Sequence, residues 1–159
     1  MSNRPLNKSD TNYENNIYKN NYELVLGTDL DETDPHYCAY LDELYFEIGS
    51  QTYVYRKNQE GYTKLGEPIN LGSQDYQPFL TEDCQTMYFS SDRERGKLAI
   101  YSSERIEGDK WSEPKKIIWN VEGVGEPTLT ADRKQLFFVA VNKYDDGSYN
   151  SDIFYIKRK

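Results

Sequence analysis

Short runs of alternating apolar and polar residues, separated by polar turns, fill the chain from Tyr22 onwards. Such runs are typical of β-strands that bury one face. No stretch has the 3.6-residue periodicity of an amphipathic helix, so we expect an all-β protein with no helix longer than two turns. Turn-forming residues stand between the runs, at Gly49-Ser50, Arg95-Gly96, Glu107-Gly108-Asp109 and Asp145-Asp146-Gly147-Ser148.

The runs belong to three copies of one pattern. Each copy has a proline, and nine residues later it reaches an apolar residue followed by two aromatic residues: Leu44-Tyr45-Phe46 after Pro35, Met87-Tyr88-Phe89 after Pro78, and Leu136-Phe137-Phe138 after Pro127. The three prolines are 43 and 49 residues apart. A period of about 40–50 residues with strand-like content predicts β-propeller blades of four strands each.

The pattern places the strands as follows. The first blade has Tyr37–Tyr40, Glu43–Ile48, Thr52–Arg56 and a strand near Tyr62–Leu71; the second has Phe79–Thr81, Thr86–Ser90, Leu98–Ser102 and Lys115–Trp119; the third has Thr128–Thr130, Gln135–Val141 and Asp152–Ile156. A further strand, Tyr22–Leu26, lies upstream and resembles the fourth strand of a blade. We therefore expect residues 21–159 to form three blades, half of a propeller, and the polar, asparagine-rich residues 1–20 to form a flexible leader.

Three blades do not close a ring, because closed propellers have at least about four blades and often six. An open half-ring would leave Asp152–Ile156 as an unpaired edge. Tyr22–Leu26 precedes the first blade by only about seven residues, which span at most roughly 23 Å, so it cannot easily reach the third blade of its own chain. We expect a two-fold homodimer that forms a six-bladed ring, with each Tyr22–Leu26 strand completing the third blade of the partner.

The repeat also carries the motif of a known family. The second copy reads Pro78-Phe79-Leu80-Thr81-Glu82-Asp83, then Met87-Tyr88-Phe89-Ser90-Ser91-Asp92-Arg93, then Ile100-Tyr101, and the third reads Pro127-Thr128-Leu129-Thr130-Ala131-Asp132, Leu136-Phe137-Phe138 and Asp152-Ile153-Phe154-Tyr155. These segments resemble the repeat of TolB-like, or PD40 (WD40-like), β-propellers. The first copy departs from it, with Tyr40 at the aspartate and Glu47-Ile48 at the Ser-Ser pair, and Cys84 and Arg133 replace the glycine that usually follows the aspartate.

The resemblance implies a propeller fold and places Trp111 between blades. It implies little about function, because such propellers serve as protein-docking modules, periplasmic scaffolds and appendages of peptidases.

Composition and charge narrow the possible partners. The chain has 159 residues, a net charge of −8 and a pI of about 4.7, which disfavours nucleic-acid binding. We expect no membrane span and no secretory signal, because no run approaches the roughly 20 apolar residues of a span and the N-terminus has no apolar segment. The chain starts with methionine, and we therefore expect a cytoplasmic protein. The two cysteines, Cys38 and Cys84, stand at non-equivalent places in the repeat, and we interpret both as reduced thiols.

Few residues are candidates for chemistry. His36 is the only histidine, so acid–base catalysis has one candidate base, which should lie near the mouth of the propeller channel. Arg93 and Arg95 lie between the second and third strands of the second blade, where they could bind a carboxylate or phosphate or could join neighbouring loops. Tyr76 and Lys143 complete the candidate contact residues. The acidic stretch Asp29–Asp34 lacks the glycine and distal glutamate of a calcium loop, so we expect no metal and no cofactor.

These observations favour a non-catalytic binding module that presents a propeller face to a protein or small ligand. Two alternatives stay open. The first is a hydrolase-type enzyme with a site at the channel mouth near His36. The second is an acidic inhibitor or immunity-type protein that binds a basic enzyme, whose affinity should fall steeply with salt.

Overall fold

The computed structural model describes residues 30–94 and 96–157, and in these ranges the chain is all-β with no helix. The all-β prediction is therefore confirmed for this part of the chain. The predicted flexible leader and the predicted strand Tyr22–Leu26 lie outside the described residues. The strands are β1 (Glu32–Cys38), β2 (Glu43–Ile48), β3 (Gln51–Arg56), β4 (Tyr62–Lys64), β5 (Asp75–Leu80), β6 (Thr86–Ser91), β7 (Ala99–Glu107), β8 (Lys110–Trp111), β9 (Lys115–Ile118), β10 (Val124–Leu129), β11 (Gln135–Lys143) and β12 (Tyr149–Lys157).

The strands form three antiparallel repeat units. Unit I contains β1–β4, unit II contains β5–β9 and unit III contains β10–β12. In units I and II the first three strands pair in chain order, and a fourth, β4 or β9, pairs with the third. A parallel bridge between Gln51 and Asp75 joins units I and II into one sheet, whereas unit III is a separate sheet of three strands. Unit III thus lacks a fourth strand among the described residues.

The first strand of each unit begins before its proline and continues through a β-bulge. The residue before each proline, Asp34, Gln77 or Glu126, has a positive φ of 49°, 56° or 55°, and the strand register shifts at the same point. Proline has no N–H to donate, so it is tolerated in a strand at such a bulge. The predicted starts of these strands, directly after the prolines, are therefore too late.

The turn after the first strand repeats in units II and III. Thr81 and Thr130 donate their hydroxyl groups to the carboxylates two residues later, each at 2.6 Å. The next residue then takes the left-handed conformation, with φ of 57° at Cys84 and 58° at Arg133. These are the positions at which TolB-like repeats carry glycine, the residue that adopts this conformation without strain.

The hydrophobic core lies between neighbouring units. Alternate side chains of each second strand point in opposite directions: Tyr45 of unit I packs against Met87 and Phe89 of unit II, and Tyr88 of unit II packs against Leu136 of unit III. We call the side of a unit that meets the following unit its forward face and the opposite side its rear face. Trp111 is buried in the core between units I and II, which agrees with its expected place between blades.

The prediction of two reduced thiols is wrong, because Cys38 of unit I and Cys84 of unit II form a disulfide. Their Cα atoms are 6.0 Å apart, within the usual range for a disulfide. The positions are non-equivalent because the bond crosses between units: the end of β1 faces the turn that follows β5. Sequence spacing within one unit could not reveal a pairing between two units.

We expect replacement of the pair to destabilise the protein. The Cys38→Ser/Cys84→Ser variant should lose about 2–4 kcal/mol of unfolding free energy, because a bond that closes a long loop restricts the unfolded chain. Mass spectrometry after alkylation should show no labelled cysteine in the native wild type and two after denaturation with reductant. Two labels after denaturation without reductant would contradict the disulfide.

Candidate binding site

The first strands of the three units run side by side, with β5 in contact with both β1 and β10. We call the end at which these strands begin the upper mouth and the end at which they finish the lower mouth. Each mouth contains a cavity.

A cavity of about 430 Å³ lies at the lower mouth and is lined by all three units. His36 is there, with Phe79, Leu129 and Thr130. The His36 Nε2 atom lies 3.1 Å from the carbonyl oxygen of Leu80, and the imidazole packs on Phe79 with 4.6 Å between ring centroids. Burial lowers the pKa of His36, which favours the neutral ring at physiological pH.

The surroundings of His36 offer no activated nucleophile among the described residues. Cys38 is in the disulfide, and the Thr81 and Thr130 hydroxyls are bonded to their own turn carboxylates. The imidazole contacts a carbonyl rather than a carboxylate that could orient it as a base. The lower mouth is therefore a mainly apolar cavity with one neutral imidazole.

A groove of about 390 Å³ lies at the upper mouth, between units II and III. Its polar lining includes Tyr76, Gln77, Lys97, Glu122 and Glu126. Three valines of unit III also line the groove. This groove combines hydrogen-bonding groups, carboxylates and apolar surface in one place.

Carboxylates surround Tyr76 at this mouth. The pKa of the Tyr76 phenol is raised first by burial and then by the negative charges of Glu47, Asp34, Asp92 and Glu126. Four carboxylates from all three units therefore act on one phenol. Negative charges at this mouth favour cationic groups of a partner.

Glu47 is the most perturbed of these acids. Its pKa is raised to about 7, first by burial and then by its hydrogen bond to the Asp34 side chain. The neighbouring carboxylate and the partial loss of water both disfavour the charged form of Glu47. Glu47 therefore keeps its proton to a higher pH than an isolated surface acid would.

This pair predicts a pH-dependent stability. A raised pKa in the folded state means that the Glu47 contribution is complete below the ordinary pKa near 4.5 and is lost as pH rises through about 7. We expect the wild-type Tm to fall more between about pH 5 and about pH 8 than that of Glu47→Gln. Thermal melts at both pH values measure this, with Glu113→Gln, at an exposed position, as the matched control. Parallel pH profiles for wild type and Glu47→Gln would contradict the assignment.

The remaining candidate residues are separated by the fold. Arg93 is largely buried, and its guanidinium donates to Ser91 Oγ, to the carbonyls of Pro68 and Ile69, and to Asp75. The side chain joins loops and has little capacity left for a ligand. Lys143 is exposed at the end of β11, above the Tyr149 ring at 5.7 Å. Arg95 lies outside the described residues.

The loops of the upper mouth carry exposed apolar side chains that were not among the predicted site residues. Trp119 and Val121, which precede β10, are 64% and 84% exposed, and Leu71, which precedes β5, is 54% exposed. Lys116 lies over the Trp119 ring at 5.6 Å. Their shared position in the repeat could have indicated them, because each lies in the loop before the first strand of a unit. Exposed large apolar groups beside a groove are typical of protein-binding surfaces.

No family model matches the chain, and no curated protein is similar to it. Within residues 30–94 and 96–157, no group of three or more His, Cys, Asp or Glu side chains could hold a metal ion. The same ranges contain no helix that is long and apolar enough to cross a membrane.

Proposed function

We propose that this chain is a non-catalytic binding module, built as half of a TolB-like β-propeller, whose upper mouth binds a protein partner. The observation that carries the proposal is the groove between units II and III. Carboxylates line this groove, and a loop with exposed apolar side chains lies beside it. A surface with this composition fits a protein segment that carries both basic and apolar side chains.

The repeat units support the propeller part of the proposal. Two of the three units are four-stranded antiparallel meanders, their first strands lie side by side, and each forward face packs on the next rear face. Such an arrangement is what we expect of blades around a propeller axis, and it supports the proposal.

The open end of unit III supports a dimer. Among residues 30–94 and 96–157, strand β12 pairs with β11 and no strand pairs with its other edge, which is nine residues long. Its Ile153 and Tyr155 side chains are 76% and 52% exposed. We propose that a second copy covers this end, closing a six-bladed ring in which Tyr22–Leu26 of one copy completes unit III of the other. A cytoplasmic location stays a prediction, and a persistent Cys38–Cys84 disulfide in cells would count against it.

The acidic-inhibitor alternative uses the same surface. Its distinguishing property is a steep loss of affinity with salt, because it depends on long-range attraction to a basic enzyme. The hydrolase alternative has less support, because the environment of His36 provides neither an orienting carboxylate nor a free nucleophile.

Affinity capture from the native cell, with the chain and its variants as bait, tests the binding face. We expect a specific partner to be retained by wild type and lost with Trp119→Ala and Tyr76→Ala, which change the upper mouth. Glu82→Ala at the lower mouth is the matched control and should retain the partner. Equal capture by all baits, or turnover of a substrate that His36→Ala abolishes, would contradict the proposal.

A further inference from the structure

The junction between units II and III contains a hydrogen bond at the β-bulge. Gln77, the residue before the proline of unit II, accepts the backbone N–H of Glu126 through Oε1 at 3.0 Å. Glu126 is the equivalent residue of unit III. Ser90 of the neighbouring strand holds the Gln77 amide in place by donating to the same oxygen at 2.7 Å. The side chain of one bulge therefore binds the backbone of the next.

The junction between units I and II and the junction between units II and III each bury a rear-face residue of the following unit. Leu80 of unit II and Leu129 of unit III occupy equivalent positions after the proline and are 2% and 8% exposed. Tyr37 occupies this position in unit I and is 57% exposed. The difference follows from the order of the described units: units II and III each have a preceding unit that covers this residue, whereas no described unit precedes unit I.

The forward face of unit III is the complementary open surface. Tyr88 of unit II packs against Leu129, and the residue of unit III equivalent to Tyr88 is Phe137. Phe137 is only partly buried and packs on Tyr155 of β12, which is itself exposed. Glu126 is exposed and provides a carboxylate where unit II provides the Gln77 amide. One chain thus presents the forward half of a junction at one end and the rear half at the other.

We propose that a second copy of this chain completes the junction, with the Glu126 carboxylate accepting the backbone N–H of Asp34 in that copy. The inference rests on the proposed dimer and assigns its register. Phe137 packs against Tyr37 of the second copy, as Tyr88 packs against Leu129 within the chain. The two-fold axis repeats the junction at the other end, so each dimer contains two such bonds.

In this register the Glu126 carboxylate accepts a hydrogen bond, but its negative charge weakens the junction. Asp34 and Glu47 of the second copy would lie beside Glu126, and these acidic groups would repel its negative charge. The Glu126 oxygen is still needed to accept the hydrogen bond. Glu126→Gln keeps the acceptor, reproduces Gln77 and removes the charge, whereas Glu126→Ala removes both. We expect Glu126→Gln to dimerise at least as tightly as wild type and Glu126→Ala at least about tenfold more weakly.

Sedimentation across a concentration series measures these dissociation constants, with Glu113→Ala as a control that should match wild type. If wild type is dimeric but Glu126→Gln weakens it as much as Glu126→Ala does, or neither has an effect, the assigned register is overturned and the dimer itself stands. If wild type stays monomeric, the dimer and the register are both overturned.

The disulfide provides an independent test of the same register. The positions equivalent to Cys38 and Cys84 at the open junction are Thr130 of one copy and Leu41 of the other. The Thr130→Cys/Leu41→Cys variant, oxidised in air, should give a covalent dimer of about twice 18.7 kDa on non-reducing gels. Ser148→Cys/Leu41→Cys, with one cysteine on the β11–β12 hairpin, is the control and should stay mainly monomeric on the gel. Equal cross-linking in both variants, or none in the first, would overturn the register.

Discussion

Arg93→Ala is expected to lower the unfolding free energy by about 3–5 kcal/mol, because it leaves a buried carboxylate without its cation. The partner, Asp75, has no exposed surface and lies 2.9 Å from the guanidinium. Arg93 also packs over the Phe89 and Tyr101 rings, each at 4.9 Å, so the substitution removes packing as well as charge.

Denaturant unfolding at equal protein concentration measures this loss. Lys134→Ala is the matched control, because its pair with Asp132 is 3.8 Å long and both side chains are mostly exposed. The control should change stability by less than about 1 kcal/mol. An Arg93→Ala loss as small as that of the control would show that Arg93 is not the structural link described above and would restore it as a candidate ligand residue.

Arg105→Ala is expected to have an effect of similar size at the junction of units I and II. Its guanidinium donates to the carboxylate of Glu43, to the Tyr45 hydroxyl and to the carbonyls of Cys84 and Gly108. Both charged side chains are almost fully buried, at 6% and 7% exposure. Without Arg105, Glu43 keeps its ion pair with Arg56. We expect the loss of Arg105 to lower the unfolding free energy by about 3 kcal/mol or more.

A double variant measures the interaction of Arg105 with Glu43 separately from the other contacts of the two side chains. Arg105→Met/Glu43→Leu removes both charges and keeps apolar volume, so it should recover most of the stability lost in Arg105→Ala. Denaturant unfolding of Arg105→Met, Glu43→Leu and the double variant measures this coupling. Additive losses would contradict a direct ion pair between the two units.

The sequence predicted the strands well where alternation alone determines them. The second strands, such as Glu43–Ile48, match the structure because one face of each strand is buried by a neighbouring unit. The first strands were predicted too short, because proline usually ends a strand and the bulge before it cannot be read from local pattern.

The candidate site was predicted less well, because it depends on contacts between units. Arg93 stands out in an acidic sequence, but only the fold shows that three groups from other segments accept its hydrogen bonds. The Cys38–Cys84 bond and the carboxylates around Tyr76 likewise join residues that are distant in the chain. Of the candidate contact residues that the structure describes, Tyr76 lines the groove at the upper mouth, whereas His36, Arg93 and Lys143 do not.

The central claim is that one chain forms half of a ring and that a second copy completes it. Light scattering of the full chain at micromolar concentration tests this most directly. The account predicts a mass of about twice 18.7 kDa, and predicts that deletion of residues 1–27 gives unfolded or aggregated protein because the Tyr22–Leu26 strand is removed. A well-folded monomer of 18.7 kDa would contradict the account.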